Sequence, residues 1–203
     1  MAIVTELKEL PVRCDFYITE EVSETLYNTL RREIDAKLKE ISEIHINNEK
    51  WYRNNDIDPK LYQRKSVEFI IHLSTFGGSC YDGLGIYDLL YNLDHNPDVK
   101  ITLICEGKIM SCGILIMCAI NDRKGTRNSN YMIHQIMSMT MWKLETMKED
   151  VKEFERLENV IDNIILSNTK ITREQLNDWY SHKKDFYFDA KTALELGLIN
   201  EII

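Results

Sequence analysis

The sequence predicts an α/β protein with a largely parallel β-sheet flanked by helices. Short runs rich in β-branched and aromatic residues alternate with segments whose apolar residues recur at helical spacing, which is the order of a parallel α/β sheet. The 203 residues include 44% hydrophobic and 29% charged residues. This is the composition of a globular protein large enough for a buried core and an active-site cleft.

The first part of the chain predicts one strand and one helix. Residues 14–22 alternate apolar and polar side chains like a strand, and Ser23 is placed to cap the amphipathic helix that follows. The apolar positions of that helix are Leu26, Leu30, Ile34 and Leu38. Residues 42–66 are polar and rich in asparagine, so we expect an inserted loop or hairpin there.

The middle of the chain repeats strands, glycine-containing turns and helices. Buried strands are predicted at residues 67–75, 99–107 and 130–136. Helices are predicted at residues 83–96 and 111–120. The first strand runs into the turn Gly77-Gly78, and the second helix begins at or just before Ser111.

The last part predicts one long helix, two short helices and a final strand. The long helix runs from about Trp142 to Asn168 and has one apolar face, which packs either on its own domain or on another chain. Thr172 opens the next helix as a capping box with Gln175. Gly197 ends the last helix before a terminal strand.

Charge and cysteine content narrow the function. A net charge of −8 argues against non-specific nucleic-acid binding, which needs a surplus of Lys and Arg. The five cysteines are odd in number and lack C-x-x-C spacing, which favours a reducing compartment. We expect a cytoplasmic protein without a membrane span, since the longest apolar run, 109–120, is shorter than a bilayer requires. The five histidines show no metal-ligand spacing, so neither a metal nor another cofactor is expected.

Three features are candidates for acyl-transfer chemistry, which needs a nucleophile, a base and oxyanion donors. Ser111 follows a strand and a glycine turn at a helix start, where it is either a nucleophile or an ordinary N-cap. His134 lies at the end of a predicted strand, where it is either a general base or a structural histidine. The Gly77-Gly78 turn exposes backbone amides, although no phosphate-binding motif surrounds it.

Four segments together resemble the Clp protease proteolytic subunit, ClpP. They are "STFGGSCYDGLGIYD", "ICEGKIMSCG", "YMIHQ" and "HKKDFYFDAKTALELGLINEI", in the family's order and approximate spacing between Val67 and Ile202. The resemblance implies one peptidase domain over 1–203 with the ClpP/crotonase-like fold and a long protruding handle helix near 142–168. Residues 1–66 match poorly and contain the insert near 42–66, which suggests a divergent, phage-borne or otherwise specialised member.

The resemblance also assigns roles to individual residues. It implies Ser111 as nucleophile, His134 as general base and Asp185 as the carboxylate that orients the base. The backbone N–H groups of Gly78 and Cys112 would hold the oxyanion. Two neighbouring carboxylates, Asp178 and Asp189, compete with Asp185 for the orienting role, and Asp189 also suits the N-cap of the last helix.

Members of this family act as assemblies, so the resemblance implies partners as well. We expect a homo-oligomer of heptameric rings, which can stack as a tetradecamer, with unfolded polypeptides as substrates and a Clp-family ATPase as unfoldase. Departures from the family pattern include Phe76 in place of proline, Cys112 in place of methionine, and an altered segment after Gln135 that bears on the contact between rings.

Two alternatives to an active serine endopeptidase remain open from the sequence. The first is a catalytically idle structural subunit that assembles with an active ClpP. The second is a crotonase-type acyl-CoA enzyme, which shares the two-amide oxyanion hole but does not require a serine–histidine pair. The joint occurrence of Ser111 and His134 favours the peptidase.

Overall fold

The computed structural model describes residues 6–137, 143–181 and 185–203. Within them the chain alternates strands and helices, as the sequence predicts. The strands are β1 (Arg13–Ile18), β2 (Val67–Thr75), β3 (Val99–Met110), β4 (Arg123–Gly125), β5 (Asn130–Ile133), β6 (Phe186–Asp189) and β7 (Glu201–Ile202). The helices are α1 (Glu24–Asn54), α2 (Cys80–Asp94), α3 (Cys112–Met117), α4 (Leu144–Asn168), α5 (Arg173–Ser181) and α6 (Ala190–Glu195), with a 3₁₀ turn at Pro59–Leu61.

The strands form one sheet in the order β1-β2-β3-β4-β7, and all of these pairs are parallel. The long strand β3 also pairs in parallel with β5 near its end, and β6 runs antiparallel to β5. In the central strands β2 and β3, buried apolar residues are interrupted by partly exposed or exposed polar residues such as Glu68, His72 and Lys100, so the two faces of the sheet are not equally buried. The predicted fold class is confirmed.

The core lies where the helices cover the sheet. Helix α3 is buried along its whole length, which explains why its sequence is apolar on every side. It packs with α2 over the end of β3. Fully buried core residues include Phe69, Leu73, Ile86, Leu90, Leu103 and Ile109. Each buried side chain of this size stabilises the fold by about 1.5–3 kcal/mol, so the segment that carries Ser111 is anchored in the hydrophobic core.

The prediction of a loop or hairpin at 42–66 is wrong for its first half, because α1 continues to Asn54, whereas residues 55–66 form a loop with one 3₁₀ turn. The Ser23 cap is as predicted, with its side chain accepting from the Leu26 N–H. Beyond Ile41 the inward face of the helix contains His45 and Asn48, which are polar but buried. These two polar residues interrupt the apolar repeat in the sequence, although they occupy core positions.

The buried polar residues of α1 have specific partners. His45 Nδ1 lies 2.7 Å from the Tyr62 hydroxyl. The Asn48 side chain accepts from the Lys8 N–H at 2.8 Å and donates to the Lys8 carbonyl at 2.9 Å. The helix extension is therefore held to both the N-terminal segment and the segment that leads into β2.

The C-terminal predictions are largely confirmed. Helix α4 ends at Asn168 as expected, while the proposed start at Trp142 lies outside the described residues. Its C-terminal half packs through Leu157 and Ile165. Its N-terminal half leaves three apolar side chains exposed: Leu144, Met147 and Val151.

The caps of the last helices also follow the sequence. Thr172 and Gln175 exchange both hydrogen bonds of a capping box. Asp189 caps α6 by accepting from the Thr192 N–H at 2.9 Å, and Gly197 ends that helix with φ +70°. Strands β4 and β6 were not predicted, because three or four residues are too few to show a periodicity.

The described ranges contain neither a membrane-spanning helix nor a cluster of metal-binding side chains. No helix among residues 6–137, 143–181 and 185–203 has both the length and the apolarity needed to cross a bilayer. In the same residues, no group of three or more His, Cys, Asp or Glu side chains is arranged to hold a metal ion.

Candidate active site

Ser111 occupies a strained turn between β3 and α3. Its backbone has φ +53° and ψ −123°, a region that residues with a side chain rarely adopt and that costs about 1–3 kcal/mol. The Ser111 N–H donates to the Met132 carbonyl at 2.9 Å, and its own carbonyl accepts from Ile114 at 2.9 Å. Its side chain makes no capping hydrogen bond to the helix. The hydroxyl therefore points elsewhere, and the N-cap interpretation does not describe it.

The Ser111 hydroxyl meets the imidazole of His134. The distance between His134 Nε2 and Ser111 Oγ is 2.8 Å, within hydrogen-bond range. The sheet brings them together because β5 pairs with the end of β3, with Met132 opposite Met110, so the next residues leave the sheet at one edge. A neutral imidazole with Nε2 unprotonated accepts the hydroxyl proton in this arrangement, which is the geometry of a serine and its general base.

The Gly77-Gly78 turn lies against Ser111 and cannot accommodate side chains. A Cβ on Gly77, where φ is +100°, would stand 2.6 Å from the Ser111 Cβ. A Cβ on Gly78 would stand 2.3 Å from the Val22 carbonyl oxygen. The hydroxyl of Thr75 fixes the turn by accepting from the Gly77 N–H at 3.1 Å and donating to the Glu20 carbonyl at 2.6 Å.

Gly78 and Cys112 border the same cavity as Ser111 and His134. Cys112 is the first residue of α3, so its N–H has no intrahelical partner. Within the described part of the chain, neither amide donates a hydrogen bond to a protein oxygen. Both are thus available to an oxygen atom of a bound molecule.

Asp185 borders the same cavity as His134 without bonding to it. The paired part of β5 and β6 ends with Ile133 opposite Phe186, and His134 and Asp185 are the residues that adjoin this last pair. The Asp185 carboxylate lines the cavity and accepts from the Tyr187 hydroxyl at 3.3 Å. Among the described residues no hydrogen bond joins it to His134.

The two competing carboxylates lie elsewhere. Asp189 caps α6, and its hydrogen bonds with Thr192 lower the pKa of its carboxyl group. Asp178 lies on α5, outside the described lining of the cavity. Of the three aspartates, Asp185 is the one that borders the cavity with Ser111 and His134.

The cavity has a volume of about 330 Å³ and mainly apolar walls. Its apolar lining includes Phe76, Met132, Ile133, Ile136, Ile161 and Ile165. One charged group in the wall, Asp162, is buried, forms an ion pair with Arg173 and accepts from the Tyr180 hydroxyl at 2.9 Å. Burial and the Asp162 charge together raise the pKa of Tyr180, which remains a hydrogen-bond donor at neutral pH.

Two positions that the sequence did not single out hold the site in place. Glu158, on α4, accepts from the Ile136 N–H at 3.3 Å and from the Gln135 side chain at 3.2 Å. It thereby fixes the segment that follows His134. Thr75 fixes the glycine turn from the other side. Thr75 could have been found from the sequence, because its hydroxyl group stands at the end of the predicted strand β2, close to the glycine turn. Nothing local distinguishes Glu158 from the other acidic residues of α4.

Comparison with known proteins agrees with this architecture. The sequence model of the family described as Clp protease matches residues 60–203. The chain belongs to the Clp protease family. An ATP-dependent Clp protease proteolytic subunit from Bacteroides fragilis is 26% identical over 158 residues, which are 75% of this chain and 73% of that protein. A protein of the same name from Dehalococcoides mccartyi is 29% identical over 143 residues, 68% of this chain and 66% of its own length.

A solved structure of a Clp protease, a mutant of ClpP1 from Listeria monocytogenes, resembles the chain with a TM-score of 0.63. It is 21% identical in sequence, and the match covers 93% of this chain and 90% of that one. At this identity the likeness concerns the fold. The resemblance to ClpP that the four sequence segments indicated is therefore confirmed for family and fold.

We predict that Gly77→Ala destabilises the protein by about 2–4 kcal/mol, because the new methyl group meets Ser111 and the positive φ disfavours any side chain. Urea unfolding measures the change. The matched control is Gly85→Ala within α2, where the methyl group contacts the Tyr27 ring at 3.3 Å and the expected change is below about 1 kcal/mol. Equal effects of the two substitutions would contradict the tight packing of the turn.

Proposed function

We propose that this member of the Clp protease family is a serine endopeptidase that hydrolyses peptide bonds of unfolded polypeptides. The observation that carries the proposal is the 2.8 Å contact between Ser111 Oγ and His134 Nε2 at the edge of an apolar cavity. The same contact favours a peptidase over a crotonase-type acyl-CoA enzyme, which has no need for a serine hydroxyl bonded to an imidazole.

In the proposed mechanism His134 takes the hydroxyl proton while Ser111 Oγ attacks the carbonyl carbon of the scissile peptide. The negative oxygen of the tetrahedral intermediate is stabilised by the amides of Gly78 and Cys112. The protonated imidazole then donates its proton to the leaving amine, and an acyl-enzyme remains on Ser111. Water, activated by His134, hydrolyses that ester and restores the serine.

The role of Asp185 in this mechanism is to orient His134 and stabilise its positive charge. The β5–β6 register supports this role, since its last pair, Ile133 and Phe186, is adjoined by His134 on one strand and Asp185 on the other. The role requires the carboxylate to turn from the Tyr187 hydroxyl towards the imidazole. A second candidate function, an idle structural subunit, is favoured by the present bond between Asp185 and Tyr187.

We also propose that the chain acts within stacked heptameric rings fed by a Clp-type ATPase in the cytoplasm. The relatives from Bacteroides fragilis and Dehalococcoides mccartyi are named as ATP-dependent proteolytic subunits, which supports an ATPase partner. The exposed Leu144, Met147 and Val151 of α4 give this chain an apolar face that a second copy can cover. The five cysteines are all free thiols, which suits a reducing compartment.

A fluorophosphonate probe tests the nucleophile. We expect the probe to label the native protein and not to label Ser111→Ala. The labelling rate of His134→Ala is expected to be lower by about 10²–10⁴-fold, because this variant lacks the general base. The matched control is His95→Ala, which removes an exposed imidazole whose Nδ1 bonds to the Tyr91 carbonyl of its own helix. An unlabelled native protein, or equal labelling of Ser111→Ala, overturns the proposal.

Hydrolysis of a fluorogenic peptide tests the orienting carboxylate. Asp185→Asn is expected to lower the rate by about 10²-fold or more, because the amide cannot stabilise a protonated His134. Asp178→Asn should leave the rate unchanged. Asp189→Ala should lower the unfolding free energy by about 1 kcal/mol through loss of the α6 cap, with little change in rate. A native protein that binds the probe but hydrolyses no peptide supports the idle subunit.

Light scattering on a size-exclusion column tests the assembly. The native protein is expected to elute as stacked rings, and Val151→Glu to lower the mass to that of single rings by placing a charge on the exposed apolar face of α4. Lys152→Glu, at the next and also exposed position, is the control and should keep the native mass. A native protein that is a stable monomer refutes the ring.

A further inference from the structure

We infer that Cys80 and Cys112 form a reversible disulfide when the protein meets a hydroperoxide, and that this disulfide switches off the site at Ser111. The formation of the disulfide is independent of the proposed peptidase function. Its effect on Ser111 rests on that function.

The two thiols are in contact where two helices begin. Cys80 is the first residue of α2 and Cys112 the first residue of α3. Their sulfur atoms are 3.7 Å apart. The helices approach this closely because Gly83 faces Cys112, where even a methyl group would stand 3.3 Å from the Cys112 Cβ. No second pair of thiols is in such contact in the part of the chain that the structure describes, which includes all five cysteines.

The pair is accessible from the cavity that contains Ser111. Cys80 is half-buried and lines the cavity wall together with Cys112. The remaining thiols, Cys14, Cys105 and Cys118, are buried in the core. A small oxidant that enters the cavity therefore reaches Cys80 before it reaches the thiols of the core.

The environment also makes Cys80 the more reactive member of the pair. A hydrogen bond from the Cys112 thiol lowers the pKa of Cys80 to about 7, so a large share is thiolate at neutral pH. The same bond and burial raise the pKa of Cys112. Burial raises the pKa of Cys105 to about 12 and that of Cys118 to about 11, which leaves these two as inert thiols.

The reaction proceeds in two balanced steps. The Cys80 thiolate attacks one oxygen of the hydroperoxide, which breaks the O–O bond and gives a sulfenic acid and an alkoxide or hydroxide that takes up a proton. The Cys112 sulfur then attacks the Cys80 sulfur, the S–O bond breaks, and the thiol proton leaves with the hydroxyl group as water. The two sulfurs lose two electrons in total, and the two peroxide oxygens gain them.

The disulfide changes the segments that hold the proposed oxyanion donors. The sulfurs must approach from 3.7 Å to about 2.05 Å, which draws the first turns of α2 and α3 together. The Cys112 sulfur also lies 3.3 Å from the Gly78 carbonyl, and oxidation removes the one thiol proton that this carbonyl shares with the Cys80 sulfur. Cys112 directly follows Ser111, and Cys80 lies two residues after Gly78. The cross-link therefore moves both amides relative to the Ser111 hydroxyl.

The test treats the reduced protein with hydrogen peroxide, then unfolds it in guanidinium chloride, blocks the remaining thiols with N-ethylmaleimide, and maps the peptides by mass spectrometry. We expect a linked peptide that joins Cys80 to Cys112 and alkylation of the other three cysteines. The rate of fluorophosphonate labelling at Ser111 should fall by about 10²-fold, the effect of losing one oxyanion donor. Dithiothreitol should restore it.

Matched variants isolate the pair. Cys80→Ser and Cys80→Ala should each retain their own untreated labelling rate after peroxide, whereas Cys118→Ala, which removes a thiol at the other end of α3, should respond like the native protein. Absence of the linked peptide overturns the inference, as does a linked protein whose labelling rate is unchanged. If the reduced protein is not labelled at all, the proposed function fails, while the linked peptide still decides whether the disulfide forms.

Discussion

The turn at Ser111 adopts a backbone conformation that its own sequence disfavours, so its neighbours must hold it. Two contacts do so. The Ser111 N–H donates to the Met132 carbonyl, which ties the turn to β5, and the Gly77 backbone lies directly against the Ser111 side chain. The buried helix α3 anchors the far end of the turn. The proximity of His134 to Ser111 follows from these contacts. The pairing of β3 with β5 determines where β5 ends, and His134 is the next residue.

The sheet topology explains why residues distant in sequence lie at one cavity. The two parallel strands β2 and β3 and the shorter β5 all end at the same edge, and their last residues lead to Gly77, Ser111 and His134. The antiparallel β6 begins at the same edge, and Asp185 is the residue directly before it. One antiparallel strand in a parallel sheet thus completes the set of polar groups around the cavity.

Sequence reasoning succeeded where a local signal exists. The caps at Ser23, Thr172 and Asp189 follow from residue type and spacing, and each makes the expected hydrogen bond. The buried strands follow from their β-branched content. The resemblance of four segments placed Ser111, His134 and Asp185 in one site, and the structure does bring these three to one cavity.

Prediction from the sequence failed where contacts between distant residues determine the local structure. The continuation of α1 depends on buried partners for His45 and Asn48, which no local pattern reveals. The bond from Glu158 to the segment after His134 joins residues 22 positions apart, and the sulfur contact between Cys80 and Cys112 joins residues 32 apart. Such pairs become visible only when the topology is known.

The extension of α1 has a consequence for the start of the chain. The Asn48 side chain satisfies both backbone polar groups of Lys8, as a neighbouring strand would. The N-terminal segment is thus held to the body by a residue 40 positions later, in addition to the packing of Leu10 against the core. In this divergent member of the family, a side chain of helix α1 helps to determine where the N-terminal segment lies on the domain.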